Sequence, residues 1–362
     1  MILRRSWDFL LSSQIAGLGI ISCLVIFSIN KNLVQNQLVF WLIGLTILIL
    51  ISFFNFRNFS KLSYFFYFLS LLMLLLLLLI GDPVRGSVRW IELGVFRFQP
   101  SEITKAAAIL ALANFFKEKT ARELKNLVVS FLIILPVFIL VFLEPDIGNA
   151  LTLLAIWLGI VLFSGLRLKT IFTVSLIAVV VIFMGFKLLA PYQKQRLETF
   201  INPGQDPLGT GYHIIQSKIA VGSGGFLGRG LGHGSQSQLK FLPEAQSDFI
   251  FASIAEQLGF FGAGLTVILF TTMILRLISL AKDTEHFASL VIVGTISFLL
   301  FQFSINVGMN MGLFPVTGIT FPLVSYGGSS LISTLFLLGI VINIRRTTQD
   351  KVKYYQHFSK LC

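Results

Sequence analysis

The sequence is poor in charged residues. Asp, Glu, Lys and Arg make up 12% of its 362 residues, whereas 55% are hydrophobic and 37 are Phe. A soluble domain ordinarily carries about 25% charged residues. The low charge content excludes an ordinary soluble fold, because uncharged apolar runs of about 18 residues or more are typical of membrane-spanning helices.

Residues that build disulfides, metal sites and nucleotide sites are also scarce or wrongly spaced. The two cysteines, Cys23 and Cys362, are far apart in sequence, and His213 and His233 have no partner at ligand spacing. They predict neither a disulfide framework nor a zinc site. The glycine-rich run 222–234 lacks the G-x-G-x-x-G register and is not followed by G-K-[ST], so we expect no nucleotide site there.

Positive charges outnumber negative ones, and the formal net charge is +12. Such a balance can indicate a protein that binds nucleic acid. Here, however, the Lys and Arg residues lie in short loops beside apolar runs, which is where membrane topology places them. We therefore expect contact with membrane lipids and no nucleic-acid partner.

The apolar runs predict an all-α polytopic membrane protein that forms one domain over residues 1–362. The first run follows Arg4 and Arg5, is long, and lacks a small-residue cleavage site, so it is interpreted as an uncleaved span. About ten transmembrane helices are expected, at residues 13–29, 38–54, 63–80, 101–116, 127–143, 147–164, 170–189, 249–275, 287–308 and 323–343.

Lys and Arg are divided unequally between the two sides of this predicted bundle. With the N-terminus inside, seventeen of them lie in the inner segments. Only four lie in the short outer loops, namely Lys31, Arg85, Arg89 and Arg97. The asymmetry predicts that both termini are cytoplasmic. Residues 190–247, between spans seven and eight, then form one large extracytoplasmic loop.

Three of the four outward positive residues are arginines that share a single loop. Arg85, Arg89 and Arg97 oppose the topological bias, and the arginine fork suits phosphate groups. Contact between an interfacial loop and lipid headgroups, with Trp90 as the anchor, explains them equally well. The residues alone leave both interpretations open.

Two charged residues open the fourth span. Glu102 and Lys105 are three positions apart, so they share one face of the predicted helix. One interpretation is a local ion pair that makes a buried lysine tolerable. The other, which we favour, is a cation directed at an anionic group in an outward cavity, because a pair at that depth still costs energy.

Asp248 lies where the polar loop ends and the eighth apolar run begins. An ionisable residue at membrane depth is by default a functional-site hypothesis. The alternative is that Ser247 or Asp248 simply caps the helix. Glu256 follows eight residues later, about 12 Å deeper at a rise of 1.5 Å per residue, and we expect Lys105 or water to be its partner.

The remaining unusual features also map to the outer face. Residues 306–330 combine asparagines, prolines and glycines, and irregular backbone at membrane depth requires a cavity or protein packing. Asp146, in the tight turn 144–148, is explained at least as well by capping span six as by ligand binding.

The outward position of these features predicts a wet cavity that contains cations and a carboxylate. An enzyme that acts on a membrane-bound phosphorylated substrate fits this cavity, and so does a transporter or flippase. The clustering of charge at one face favours the enzyme.

Short runs spread in order over nearly the whole chain resemble the SEDS family (shape, elongation, division and sporulation). They are RWIELG (89–94), QPSE (99–102), EPDIG (144–148), DPLG (206–209), FLPE (241–244), DFIF (248–251), PVTG (315–318) and SYGGS (325–329). The run 234–244 and the short termini resemble the RodA branch more than the division branch, FtsW. The chain departs from the family pattern at Gln246 and Ser247, where His-Thr is expected.

The resemblance implies a ten-span peptidoglycan glycosyltransferase of the bacterial cytoplasmic (inner) membrane. Members polymerise lipid II at the outer leaflet, here during cell elongation and shape maintenance, and work with a class B penicillin-binding protein, a transpeptidase. A division-type polymerase and a flippase for lipid-linked precursors are the alternatives.

Asp248 corresponds to the catalytic acid of the family. We expect it to act as a general base on the acceptor hydroxyl, with inversion at the anomeric carbon of the donor. Lys105, held by Glu102, is expected to stabilise the diphosphate leaving group, and a divalent cation (Mg²⁺ or Mn²⁺) stays open as a cofactor. The expected substrate-binding residues are Arg85, Arg89, Gln216, Ser217, Asn306, Ser325 and Tyr326.

Overall fold

The protein is an assembly of long helices joined by short connections and one larger segment. The computed structural model describes residues 7–81, 89–93, 96–167, 170, 191–205 and 210–358. Helices α1 to α6 are Phe9–Ile29, Lys31–Phe53, Phe56–Ile80, Pro100–Phe116, Leu124–Leu143 and Ile147–Phe163. Three shorter helices follow, α7 (Pro191–Ile201), α8 (Thr210–Ser223) and α9 (Ser235–Gln238), and then the long helices α10 (Ile250–Lys282), α11 (His286–Asn310) and α12 (Gly328–Phe358).

The helical membrane architecture is confirmed. Nine of the ten predicted spans coincide with a described helix, and the seventh, 170–189, lies outside the described residues except for residue 170. Among the described helices, seven are long and apolar enough to cross a membrane, and Ile147–Phe163 is a shorter apolar helix. The chain is therefore a multi-pass membrane protein, while the count of ten spans and their orientation stay predictions.

Helix α4 lies in the middle of the bundle. It packs against α3, α6, α11 and α12, and all but two of its 17 residues are buried. Five of the eight residues from 106 to 113 are alanines, and such small side chains allow neighbouring helices to approach closely. This packing places the first turn of α4, with its two charged residues, inside the protein.

A short hairpin is the exception to the predicted all-α fold. Strands β1 (Ile91–Leu93) and β2 (Phe96–Phe98) pair antiparallel in the loop before α4. Glu92 lies opposite Arg97 and forms an ion pair with it at 3.1 Å, with both side chains more than half exposed. Arg97 is thus paired with a carboxylate at the surface, and its interpretation as a phosphate-binding arginine stays a prediction.

The start of the last span was predicted five residues too early. Helix α12 begins at Gly328 rather than at residue 323. Leu323 has a φ of 67°, and the amides of Val324 and Ser325 both donate to the carbonyl of Phe321. A left-handed residue cannot continue a right-handed helix, so this apolar stretch forms a turn instead.

Helix α10 is interrupted at Gly259, which has φ 67° and ψ −165°. The amides of residues 260–261 would ordinarily donate to the carbonyls of residues 256–257, one turn back. They donate instead to the carbonyls of residues 225–226, at 2.9 and 3.2 Å. The amides of residues 229–230 in turn donate to the carbonyls of residues 256–257, at 2.9 and 3.0 Å. The glycine-rich segment is thereby joined to the broken helix by main-chain hydrogen bonds.

Glycine is needed in this segment because the two backbones nearly touch. A Cβ on Gly224 would lie 1.9 Å from the carbonyl oxygen of Ala255, and one on Gly228 would lie 2.2 Å from that of Gln257. The run 222–234 therefore does permit a close backbone approach, and the surface it approaches is helix α10.

The expected partner of Glu256 was wrong. Its carboxylate accepts hydrogen bonds from the amides of Gln236 and Ser237, at 2.7 and 3.0 Å, and the side chain is fully buried. These amides belong to the first turn of α9, where a carboxylate satisfies donors that a helix leaves unpaired. Neither Lys105 nor water is needed to explain this acid.

Candidate active site

Asp248 lies in the turn just before α10, and it does not cap that helix. The N-cap residue is Phe249, without a side-chain capping hydrogen bond, and the hydroxyl of Ser247 donates to Glu244. The capping interpretation of both residues is therefore wrong. Among the described residues none forms a hydrogen bond with the Asp248 carboxylate, and the residue is partly exposed.

The backbone of Asp248 is held by two asparagines on α11. Its carbonyl accepts from Nδ2 of Asn306 and from Nδ2 of Asn310, both at 3.0 Å. Both asparagine side chains are fully buried, and Oδ1 of Asn310 accepts from the amide of Ala252 at 2.9 Å. The amide of Asn306 thus positions Asp248, and the predicted contact of Asn306 with substrate stays a prediction.

The segment before α12 holds the other side of the same turn. The hydroxyl of Ser325 donates to the carbonyl of Ser247 at 2.6 Å, and the amide of Tyr326 donates to the carbonyl of Gln246 at 2.8 Å. Ser325 is 4% exposed, and its hydroxyl positions this turn. Its role in substrate binding stays a prediction. The ring of Tyr326 lies 6.1 Å from that of Phe40, centroid to centroid.

A glycine backbone faces the carboxylate. Gly318 has a φ of 74°, and a Cβ built on it would lie 3.4 Å from Oδ2 of Asp248. A side chain here would be strained by the positive φ and would crowd the acid. The PVTG run thus keeps space open beside Asp248.

The surroundings raise the pKa of Asp248 to about 6. The main cause is burial, and the carboxylate of Glu244 adds to it. The guanidinium of Arg196 opposes this rise in pKa. Asp146 makes a smaller contribution to the rise, and Arg89 a smaller one against it. A general base works best when its pKa lies close to the operating pH, so this carboxylate is suited to accept a proton.

Arg89 is fixed against the turn between α5 and α6. Its Nε donates to the carbonyl of Glu144 at 3.0 Å, and its Nη2 donates to the carbonyl of Pro145. From there it acts electrostatically on Asp248. Arg85, the other candidate of this loop, lies outside the described residues.

The predicted pair of Glu102 and Lys105 is present and deeply buried. Lys105 Nζ lies 2.7 Å from Oε1 of Glu102, and the two side chains are 1% and 3% exposed. Nζ also donates to Oδ1 of Asn149 at 3.0 Å and lies 5.0 Å from the centroid of the Phe298 ring. Lys105 therefore does not point into an open cavity, and a direct contact with substrate stays a prediction.

Asn149 connects this pair to Asp146. The amide group of Asn149 donates to Oδ2 of Asp146 at 2.9 Å, and its backbone N–H donates to Oδ1 at 3.1 Å. Asp146 therefore caps α6, as one interpretation of the sequence held. Asp146 also contributes to the raised pKa of Asp248, so it acts on the candidate base and is linked to the buried pair through Asn149.

Arg196, on α7, was missed by the sequence analysis. Its Nη1 donates to the carbonyl of Val316 at 3.2 Å, and it acts on both Asp248 and His213. The large loop follows the charge rule of membrane topology poorly, so its arginines carried no signal. Only the fold brings this residue to the site.

The two remaining candidates lie on α8. The hydroxyl of Ser217 is buried and donates to the carbonyl of Asn310 at 2.8 Å. Ser217 thus helps to hold Asn310, one of the two asparagines that bind the carbonyl of Asp248. Gln216 is partly exposed. Burial and the charge of Arg196 lower the pKa of His213 on the same helix.

The acids of the site do not form a protein cage for a metal ion. Within the part of the chain that the structure describes, no group of three or more His, Cys, Asp or Glu could hold one. Both oxygens of Asp146 are already taken by amide donors. A divalent cation as a cofactor therefore stays a prediction.

Comparison with known proteins matches this arrangement to one family. The family model FTSW_RODA_SPOVE, described as "Cell cycle protein", matches residues 11–350. The chain is 42% identical over 263 residues to the peptidoglycan glycosyltransferase MrdB of Escherichia coli K12, which covers 72% of this chain and 71% of MrdB. It is 40% identical over 271 residues to stage V sporulation protein E of Bacillus subtilis, covering 74% of each.

Two solved structures have the same fold. One, from work on the structural coordination of polymerization and crosslinking by a peptidoglycan synthase complex, has a TM-score of 0.83 and 32% identity, and covers 95% of this chain and 99% of that one. The other is the rod shape determining protein RodA of Thermus thermophilus, with a TM-score of 0.73, 29% identity, and coverage of 94% and 97%. The chain belongs to the FtsW, RodA and SpoVE family of cell cycle proteins.

Proposed function

We propose that this protein is a peptidoglycan glycosyltransferase that polymerises lipid II at the outer leaflet of the bacterial cytoplasmic membrane. The proposal rests on Asp248, whose main chain is held in place while its carboxylate does not cap the helix. Its main chain is fixed by Asn306 and Asn310, and its carboxylate does not cap α10. The relative MrdB, by its name, is an enzyme of this class.

The carboxylate can act as the general base of glycosyl transfer. It takes the proton of the acceptor hydroxyl while that oxygen attacks the anomeric carbon of the donor. The bond between this carbon and the lipid diphosphate breaks, and the configuration at the carbon inverts. A pKa of about 6 leaves Asp248 mostly ionised at neutral pH, which is the state a base requires.

Charge that develops on the departing diphosphate needs fixed cations. Arg89 is such a cation, because backbone carbonyls hold it beside the site. Arg85 is a second candidate from the same loop. Mg²⁺ commonly binds through one or two carboxylates together with substrate phosphates, so a divalent ion fits the reaction without a protein cage.

Lys105 and Glu102 contribute from inside the protein. The lysine holds Asn149, and Asn149 holds Asp146, so loss of either charged residue would disturb the turn on which Arg89 rests. We assign them a positioning role in this state of the protein. Gln216 and Tyr326, which are partly exposed, are the remaining candidates for contact with the sugars.

The chain is proposed to work in cell elongation with a class B penicillin-binding protein. The solved structure of a synthase complex that joins polymerization and crosslinking supports such a partner. Relatives named FtsW are 36–38% identical over comparable lengths, against 42% for MrdB. The elongation branch is therefore favoured over the division branch.

One reconstitution separates the polymerase from a flippase. The purified protein is combined with its class B partner, whose transpeptidase is blocked by a β-lactam, and with detergent-solubilised lipid II. We expect glycan strands that grow with time and that the partner alone does not make. Absence of strands, together with transfer of labelled lipid II between leaflets of vesicles, would assign the protein to the transporter class instead.

A further inference from the structure

Arg196 enters the site from a part of the chain that carries none of the residues predicted for catalysis. It lies on α7 and donates from Nη1 to the carbonyl of Val316 at 3.2 Å. Val316 is two residues before Gly318, whose Cβ position would lie 3.4 Å from Oδ2 of Asp248. The contact therefore places a guanidinium on the segment that faces the candidate base.

Two arginines from separate elements act on Asp248. Arg89, in the segment before β1, and Arg196, on α7, both lower the pKa of Asp248, whereas Glu244 and Asp146 raise it. Each guanidinium is anchored by a main-chain carbonyl, of Glu144 for Arg89 and of Val316 for Arg196. A carbonyl is a neutral acceptor, so these hydrogen bonds orient a guanidinium and do not themselves neutralise its charge.

A guanidinium of this kind is suited to phosphate. It carries five N–H groups in a planar fork, so a contact along one edge is compatible with a phosphate along another. Arginine–phosphate hydrogen bonds are charge-assisted and about twice as strong as neutral ones. In the proposed reaction both the donor and the acceptor carry a lipid diphosphate, so the site must accommodate two such groups.

We infer that Arg196 binds the diphosphate of one of the two lipid-linked substrates, while Arg89 serves the other. This inference rests on the proposed function and deepens it. It assigns recognition of a diphosphate to the segment between the predicted seventh and eighth spans, in which Gln216 and Ser217 are also expected to bind substrate.

The test compares R196A and R196K with R229A in the full-length protein. Arg229 is an exposed arginine of the glycine-rich run, so R229A removes one positive charge away from the site. The binding probe is farnesyl diphosphate, and farnesol measures the contribution of the isoprenoid chain alone. We expect R196A to weaken farnesyl diphosphate binding about tenfold or more at one of the two diphosphate sites, R196K to weaken it less at that site, and farnesol binding to stay unchanged. R229A should bind both as the wild type does.

Kinetic titrations then identify the substrate. Lipid II is varied at saturating lipid-linked glycan oligomer, and the oligomer is varied at saturating lipid II. A KM that rises about tenfold for R196A in one titration and not in the other assigns the arginine to that substrate. Binding of farnesyl diphosphate by R196A to as many sites and with the same affinities as the wild type would overturn the inference. So would a loss of turnover with unchanged KM and probe affinity, because Arg196 would then only support the Val316 segment.

The binding experiment does not depend on polymerase activity. If the wild type makes no glycan and yet binds farnesyl diphosphate through Arg196, the proposed function fails and the diphosphate site stands. If the wild type makes glycan and R196A still binds the probe normally, the site fails and the proposed function stands.

Discussion

Asp248 owes its chemical character to the side chains around it more than to its own type. Burial raises its pKa, and Glu244 is the neighbour that raises it most, while Arg196 opposes the rise. Glu244 itself receives hydrogen bonds from Gln246 and Ser247. Gln246 and Ser247, which immediately precede Asp248, thus bind the carboxylate of Glu244 that raises the pKa of Asp248.

This tuning predicts the pH dependence of the reaction. A general base must be ionised, so kcat/KM should rise with pH through about 6, the pKa of Asp248. Glu244→Gln removes a negative neighbour, so it should lower this pKa and move the acidic limb of the profile to lower pH. The control is Glu92→Gln in the hairpin, where an exposed acid pairs with Arg97. An acidic limb that stays in place in the Glu244→Gln profile would contradict the account.

Glu144 is a second unusual acid, and the mechanism does not use its side chain. Both of its carboxylate oxygens are buried without a hydrogen-bond partner among the described residues. Burial, reinforced by Asp146, raises its pKa to about 9 against the opposing charge of Arg89. The folded protein therefore keeps a proton on Glu144 at neutral pH.

The buried proton predicts a pH-dependent effect on stability. Between the ordinary value of 4.5 and about 9, the unfolded chain has lost this proton and the folded protein has kept it, so stability falls as pH rises through that window. Glu144→Gln is neutral in both states and escapes this loss. We expect its thermal unfolding midpoint in detergent to exceed that of the wild type at pH 8, with a much smaller difference at pH 5. A midpoint that falls equally at both values would show that the carboxyl is ionised and paired.

At the scale of elements, the broken helix α10 explains why the glycine-rich segment exists. The break at Gly259 leaves main-chain donors and acceptors that the segment 225–230 satisfies. Glu256 adds a second connection, because its carboxylate accepts hydrogen bonds from two amides in the first turn of α9. The segment and the helix therefore form one unit just beyond the turn that carries Asp248.

Two glycines of α10 give a matched test of this unit. Gly259 combines φ 67° with ψ −165°, a region essentially restricted to glycine, and its Cβ would lie 2.2 Å from the amide nitrogen of Gly228. Gly259→Ala should therefore destabilise the protein by more than about 1–3 kcal/mol, the cost of the backbone conformation alone. Gly264→Ala meets nothing within 4 Å and should be neutral or slightly stabilising. Thermal unfolding of both variants in detergent measures the difference. Equal midpoints would rule out the described packing of the glycine-rich segment against the break at Gly259.

At the scale of the whole molecule, hydropathy was sufficient to predict a multi-pass bundle of membrane helices. Nearly every predicted span recurs as a helix because a bilayer imposes one length and one composition on each crossing. The pairing of Glu102 with Lys105 was also predictable, since residues three apart on a helix are neighbours. Asp248 was found because a carboxylate at the edge of an apolar run is expensive.

The contacts that complete the site could not be predicted in this way. Asn310 and Asp248 are 62 positions apart, Arg196 and Val316 are 120 apart, and no local pattern links either pair. Asn306 and Ser325 were recognised as unusual because they are polar in a broken, apolar stretch. Their hydrogen bonds to the turn of Asp248 could not be predicted, because the pattern does not show which main-chain groups an irregular backbone leaves for side chains to satisfy. Their contact with substrate stays a prediction.

The central claim is that the carboxylate of Asp248 performs the chemical step, and Asp248→Asn tests it most directly. Asn keeps the size of the side chain and its main-chain anchors, so the variant should fold, bind lipid II and bind its partner as the wild type does. Asp283→Asn, just after the far end of α10, is the matched control. We predict that glycan synthesis by purified Asp248→Asn falls by about 100-fold or more, with Asp283→Asn unchanged. Glycan made by Asp248→Asn at the wild-type rate would contradict the account.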